Sequence, residues 1–178
     1  MKPKKLIILD RDGCLNQLPT EKKYIEKSIE FILYDDLHYL FKFVSDNKLL
    51  MAIATNQQGI SLGLIDHEEL KKMHTKLWEL GKTYGLLNFE IFVCPHMANS
   101  CACRKPSPGL LIQAMHFYNV TQSETIFIGD SESDELAAKN AEIDFIFMNR
   151  NNSKKTNESW KISTFSELKE TDVFHDYL

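Results

Sequence analysis

No stretch of this chain approaches the roughly 20 apolar residues a membrane-spanning helix needs, and no segment of it repeats. No basic block offsets the formal net charge of −4, which argues against a nucleic-acid partner. The small lysine clusters (Lys2, Lys4, Lys5; Lys154, Lys155) read as solvated surface. A secretory leader is not expected either. A strand-like apolar run begins almost at once, so a cytoplasmic protein with reduced thiols is expected. With disulfides set aside, the four cysteines must be explained by packing or by a metal. The 178 residues hold no linker and no room for a second domain, so residues 1–178 are expected to fold as one domain.

What is present is an alternation. Apolar strand-like runs lie at 5–10, 49–55, 89–94, 125–130 and 144–148, with helical spacing between them at 35–47, 66–84, 109–119 and 133–142. That order predicts an α/β fold with a mostly parallel sheet and right-handed crossovers. Between 66 and 84, Leu70, Met73, Leu77, Leu80 and Tyr84 form one apolar stripe, read as core packing. Asn149 to Ser159 reads as a polar surface loop, and Phe165 to Leu178 as a closing helix. The longest irregular stretches, 14–30 and 94–108, each follow a strand end and are candidates for shaping a site.

Chemistry gathers at the strand ends. Leu6 to Leu9 runs into Asp10-Arg11-Asp12-Gly13, which puts two carboxylates where ligands bind in parallel sheets. Like charges so close call for a cation. A carboxylate can attack phosphorus and become an aspartyl phosphate, while a second acid protonates the leaving oxygen and then activates water. Mg²⁺ would take these oxygens plus a distant carboxylate. That third carboxylate is Asp130 in Gly129-Asp130-Ser131, with Asp134 one helical turn on to hold a metal-bound water. Thr55, Asn56, Gln57 and Gln58 offer a hydroxyl and amides to phosphate oxygens, although Thr-Asn before Gly59 also makes an ordinary turn. Lys105 could neutralise the nucleophile and the phosphoryl group, and Arg104 could fork onto a second anion.

Cys94, His96, Cys101 and Cys103 supply three thiolates and an imidazole within ten residues. This is a closed Cys₃His set of the kind that holds structural Zn²⁺, and it would shape the loop presenting Arg104 and Lys105. Cys14 reads as a small apolar residue beside the catalytic turn. His38, His67, His74, His116 and His175 read as surface or packing.

Taken together these residues resemble the haloacid dehalogenase-like phosphatases: Asp-Arg-Asp-Gly, Thr55-Asn56, Lys105, then Gly129-Asp130 with Asp134. Within that superfamily, Asp10 to Asn16, Thr55 to Gly59 and Cys101 to Pro106 look like the D-glycero-D-manno-heptose 1,7-bisphosphate phosphatases. The short gap between His96 and Cys101 is more like the related histidinol-phosphate phosphatases, whose cationic substrate would call on Glu21, Glu26 and Glu30. The resemblance implies a Rossmann-like three-layer sandwich around a parallel sheet, without a cap domain. It implies a Mg²⁺-dependent phosphatase of a small sugar bisphosphate, monomeric, with Asp10 as nucleophile and Asp12 as general acid and base. Asp10, the Asp12 carbonyl and Asp130 would bind Mg²⁺, and Thr55 and Lys105 would hold the phosphoryl group. Arg104 would recognise the substrate, the loop from about Gln17 to Tyr24 would touch the sugar with Tyr24 its best match, and Ser131 stands where these enzymes commonly carry a phosphate-binding Lys. A zinc-stabilised binding protein without catalysis is the alternative from another class, and the intact acids speak against it.

Overall fold

The computed structural model describes residues 2–150 and 160–177. Six parallel strands form one sheet: β1 (Leu6–Leu9), β2 (Leu50–Asn56), β3 (Glu90–Cys94), β4 (Thr125–Gly129), β5 (Asp144–Met148) and β6 (Lys161–Ile162), ordered β3-β2-β1-β4-β5-β6. The helices are α1 (Leu37–Asp46), α2 (His67–Thr83), α3 (Gly109–Tyr118) and α4 (Glu132–Asn140).

Strand β1 shows why this becomes three layers. Its four residues are fully buried, and they alternate: Ile7 and Leu9 enter one core, Leu6 and Ile8 the other. The first core is closed by Leu40, Phe41 and Val44 of α1, by Met73 and Leu77 of α2, and by Phe165, Leu168 and Phe174 of the C-terminal turns. The second is closed by Leu110, Leu111 and Ala114 of α3 with Ala137 and Ala138 of α4. Each such Leu or Phe contributes about 1.5–3 kcal/mol by leaving water. The sheet order changes direction between β1 and β4, and the crevice at their carboxyl ends is the place for a ligand.

Three expectations need correction, and one strand was not expected. Lys4 is no surface residue: it is 1% exposed, and its ammonium is bound by the carbonyls of Ser123 and Thr125 and by the Asp144 carboxylate. Tyr84 leaves the buried stripe of α2 because the helix ends at Thr83, so its side chain is exposed. The closing helix is instead two 3₁₀ turns, Phe165–Glu170 and Asp172–Tyr177, separated at Thr171. Strand β6 has only two residues, too short to leave a pattern. Of the polar loop, 151–159 and with it Lys154 and Lys155 lie outside the described residues. Among the described residues, no helix is long and apolar enough to cross a membrane.

Candidate active site

The end of β1 is fixed to β4 by the Asp10 amide, which donates to the Ile128 carbonyl at 2.9 Å. The chain then turns at Gly13, whose φ is +89°. A Cβ there would lie 2.5 Å from Asp130 Oδ2, so glycine is what lets the two strand-end loops close on each other. Gly129 does the same on the other side, where a Cβ would fall 2.6 Å from that of Asp134. Ser131 caps α4, and its backbone amide and hydroxyl donate to Asp134 Oδ2 at 3.2 and 2.6 Å. Asp134 is thereby held fully buried.

Asp10, Asp130 and Asp134 bring their carboxylate oxygens within 4.8 Å of one another. Lys105 Nζ lies 2.5 Å from Asp10 Oδ1 and 2.6 Å from Asp134 Oδ1. Burial alone would lower the Lys105 pKa, but Asp10 and Asp134 outweigh it and hold the ammonium charged. Burial pushes Asp10 up to about 8; Lys105 opposes this, while Asp134, Asp130 and Asp12 add to it. The Lys105 ammonium offsets only part of what burial and the neighbouring acids do to Asp10. A hard, oxygen-seeking dication fits the residues present.

That crowding has a measurable consequence. Since Asp10 is raised from 3.8 to about 8, the metal-free fold loses stability as pH rises through that window. Within it a cation must displace a proton from Asp10, and above it the cation relieves bare repulsion. The rise in Tm on adding Mg²⁺ is therefore expected to be larger at about pH 9 than at about pH 6 in thermal denaturation. Equal rises would mean that Asp10 does not share the cation.

Asp12 points elsewhere. Its carboxylate accepts from Arg11 Nε and Nη2, from Asn16 Nδ2 and from Gln57 Nε2, all at 2.8–3.0 Å. A cavity of about 310 Å³ opens over these groups. Its walls bring together Asp10, Asp12, Thr55, Asn56, Lys105, Asp130, Ser131 and Asp134, together with Ser133 and with Leu18 from the loop expected at the sugar. Asn56 also clamps the loop carrying Lys105: its amide exchanges two 3.1 Å hydrogen bonds with the Lys105 backbone. Tyr24, Gln58 and Arg104 do not line this cavity. Tyr24 is half-buried beside Gly59, Gln58 reaches Met97, and Arg104 reaches the His96 carbonyl. Gln57, expected at the substrate, is turned inward and only 2% exposed. The loop before Tyr34 is fastened to α2 at Ser28, whose amide donates to Glu69 at 2.6 Å and whose carbonyl accepts from Lys76.

Sequence reasoning also passed over Arg11 and Arg150. Arg11 is fully buried, stacked 5.1 Å from the centre of the Phe31 ring. An arginine between two acids was the available signal. Arg150 donates to the Cys14 carbonyl and pairs with Asp36, bracing the turn after Gly13 from the opposite end of the chain. Nothing local in the sequence announces that.

The second cluster lies between β3 and α3. Cys94, Cys101 and Cys103 sulfurs and His96 Nδ1 sit 3.2–3.6 Å apart in the pairs that touch, a compact tetrahedron of donor atoms. Ideal sulfur–sulfur edges around a zinc-sized ion at a 2.3 Å bond length are about 3.8 Å, so the set needs only slight expansion. Against desolvation, hydrogen bonds from Cys103, the Arg104 backbone and Cys94 draw Cys101 down to about 6, while burial and the two neighbouring thiols push Cys103 up to about 12. Only a cation makes three thiolates stable together. Cys14 stands apart, buried, its thiol raised by desolvation.

Comparison with known proteins points the same way. The sequence pattern of the haloacid dehalogenase-like hydrolases matches residues 14–148. A Campylobacter jejuni protein named D-glycero-alpha-D-manno-heptose-1,7-bisphosphate 7-phosphatase is 32% identical over 93% of this chain and 92% of its own. A Helicobacter pylori protein named D-glycero-beta-D-manno-heptose-1,7-bisphosphate 7-phosphatase is also 32% identical, over 94% and 97%. The crystal structure of the D,D-heptose 1,7-bisphosphate phosphatase of B. bronchiseptica, complexed with magnesium and phosphate, superposes with a TM-score of 0.81 at 28% identity, covering 93% and 96%.

Proposed function

The chain belongs to the haloacid dehalogenase-like hydrolases, and from that membership we propose that it is a Mg²⁺-dependent phosphatase removing the C7 phosphate of D-glycero-D-manno-heptose 1,7-bisphosphate. The observation that carries the reading is the convergence of Asp10, Lys105, Asp130 and Asp134 at the β1/β4 crevice. Relatives of nearly equal length bear the heptose bisphosphatase name.

In this reading an Asp10 oxygen attacks phosphorus, and the bond from phosphorus to the sugar oxygen breaks. Asp12 gives that oxygen its proton and the sugar leaves as an alcohol. Asp12 then takes a proton from water, which attacks the aspartyl phosphate and returns free Asp10 and inorganic phosphate. Lys105 faces the charge that grows on the phosphoryl oxygens, and the Thr55 hydroxyl donates to one of them. Mg²⁺, held by Asp10, the Asp12 carbonyl and Asp130, would supply charge neutralisation, with Asp134 on a metal-bound water. Zn²⁺ on Cys94, His96, Cys101 and Cys103 would be structural, its four positions filled. Reduced, metal-committed thiols fit a cytoplasmic setting, and a single domain with no cap fits a monomer whose loops enclose the substrate.

Histidinol phosphate is the competing substrate. Its amine would need free acids at the cavity, but Glu26 and Glu30 pair with Lys22, and neither they nor Glu21 line the walls. Phosphate release from both anomers of the heptose bisphosphate and from histidinol phosphate tests the assignment. One anomer is expected to exceed histidinol phosphate in kcat/KM by roughly 10²-fold or more. Comparable values would overturn the heptose assignment.

A further inference from the structure

Among the donors to Asp12, Gln57 differs in kind. Arg11 and Asn16 are near neighbours of Asp12 in the chain, whereas Gln57 comes from the turn after β2. Its Nε2 donates to Asp12 Oδ2 at 2.8 Å and to Thr55 Oγ1 at 2.8 Å. An amide nitrogen carries two hydrogens, so both are committed. The reverse orientation would aim the amide oxygen at a carboxylate, so the network admits one orientation of this buried side chain. A hydroxyl has a single hydrogen. With Thr55 Oγ1 accepting from Gln57, that hydrogen is turned away from Gln57, and the cavity that Thr55 lines is what lies open to it.

We propose that Gln57 is a positioning residue, fixing the Asp12 carboxylate for proton transfer while aiming the Thr55 hydroxyl at the phosphoryl group. The inference rests on the phosphatase reading above. One side chain thus sets the distance between the group that serves the leaving oxygen and the group that serves the transferred phosphate. Misplacement by about 1 Å can cost about 10²-fold in rate. The Gln57 backbone amide donates to the Cys94 carbonyl at 2.7 Å, so its backbone is fixed by the end of β3, where the first of the clustered thiols sits.

The test exploits the leaving group. An aryl phosphate with an acidic phenol as leaving group needs no proton from Asp12, whereas the heptose bisphosphate, which expels an alkoxide, does. kcat/KM reports the steps through expulsion of that group. Gln57→Met is expected to lower kcat/KM on the heptose bisphosphate by about 10²-fold, and on p-nitrophenyl phosphate by about tenfold or less. Gln57→Glu keeps the shape but places no N–H donors there, and is expected to show the same selectivity. Equal losses on the two substrates, or none, would overturn the proposal. So would failure of both variants to fold, since Gln57 would then be structural. Wild-type protein without Asp10-dependent turnover of either substrate would instead defeat the phosphatase reading itself.

Discussion

Asp10→Asn is expected to abolish phosphate release while leaving the metal-free protein at least as stable. Asparagine has the same shape, so β1, the Gly13 turn and the hydrogen bond from the position 10 amide to the Ile128 carbonyl should persist. What disappears is the proposed nucleophile. Loss of a covalent catalyst in a site whose members act together costs roughly 10⁴-fold or more in kcat. The outcome is read as phosphate release at saturating Mg²⁺, with Tm measured alongside.

The stability half follows from the charge count. Asp10 is buried among Asp134, Asp130 and Asp12, which raise its pKa, while Lys105 lowers it. Substitution leaves the Lys105 ammonium its partner at Asp134, 2.6 Å away, so no buried charge is orphaned. Above about pH 8, where Asp10 is ionised in the fold, one repelling carboxylate is removed, and Mg²⁺ should then raise Tm less than in the wild type. Such a trade, activity lost and strain relieved, marks a site held together for chemistry. A variant that kept more than about a hundredth of the activity would show that another group attacks phosphorus.

The sequence made the five longer strands and the four α-helices readable because each buries a continuous face. Strand β1, buried on both sides, reads as an unbroken apolar run, and α2 shows its stripe from Leu70 to Leu77. Legibility failed where burial is set by distant partners. Lys4 is buried because Asp144, at the far side of β4, neutralises it. The Phe165 to Phe174 segment has spacing that suits a helix, yet the two 3₁₀ turns place Phe165, Leu168 and Phe174 equally well in the core. The site divides in the same way. Asp10 and Asp130 could be placed by strand ends, and Asp134 by the first turn of α4 that follows, since topology carries every parallel strand's C-terminus to one edge. Gln57 could not. Facing the substrate or facing Asp12 differs only by side-chain rotation, and three-dimensional packing decides that.

Cys103→Ser is expected to abolish the zinc binding proposed for the loop and, with it, most activity, although Cys103 does not line the active-site cavity. Three contacts transmit the loss. Lys105 follows two residues after Cys103, and its backbone is clamped by Asn56. The loop folds back so closely on the start of α3 that a Cβ on Gly109 would lie 2.4 Å from the Ala102 carbonyl oxygen. The Cys94 carbonyl receives the Gln57 amide, which fixes the residue that bridges Asp12 and Thr55. Without the cation, three buried or half-buried thiols and an imidazole have no arrangement that satisfies all four. Elemental analysis should show zinc falling from about one per chain toward zero, and stability should drop by about 3 kcal/mol or more. Activity should fall by roughly 10²-fold, because Lys105 would no longer be held against Asp10. Excess Mg²⁺ should not restore it, which separates this loss from a defect at the carboxylates. A variant that lost zinc yet kept its activity would mean that the Cys₃His loop stabilises the fold without aiming Lys105. Retention of zinc by the variant would mean that the four donors are not one site.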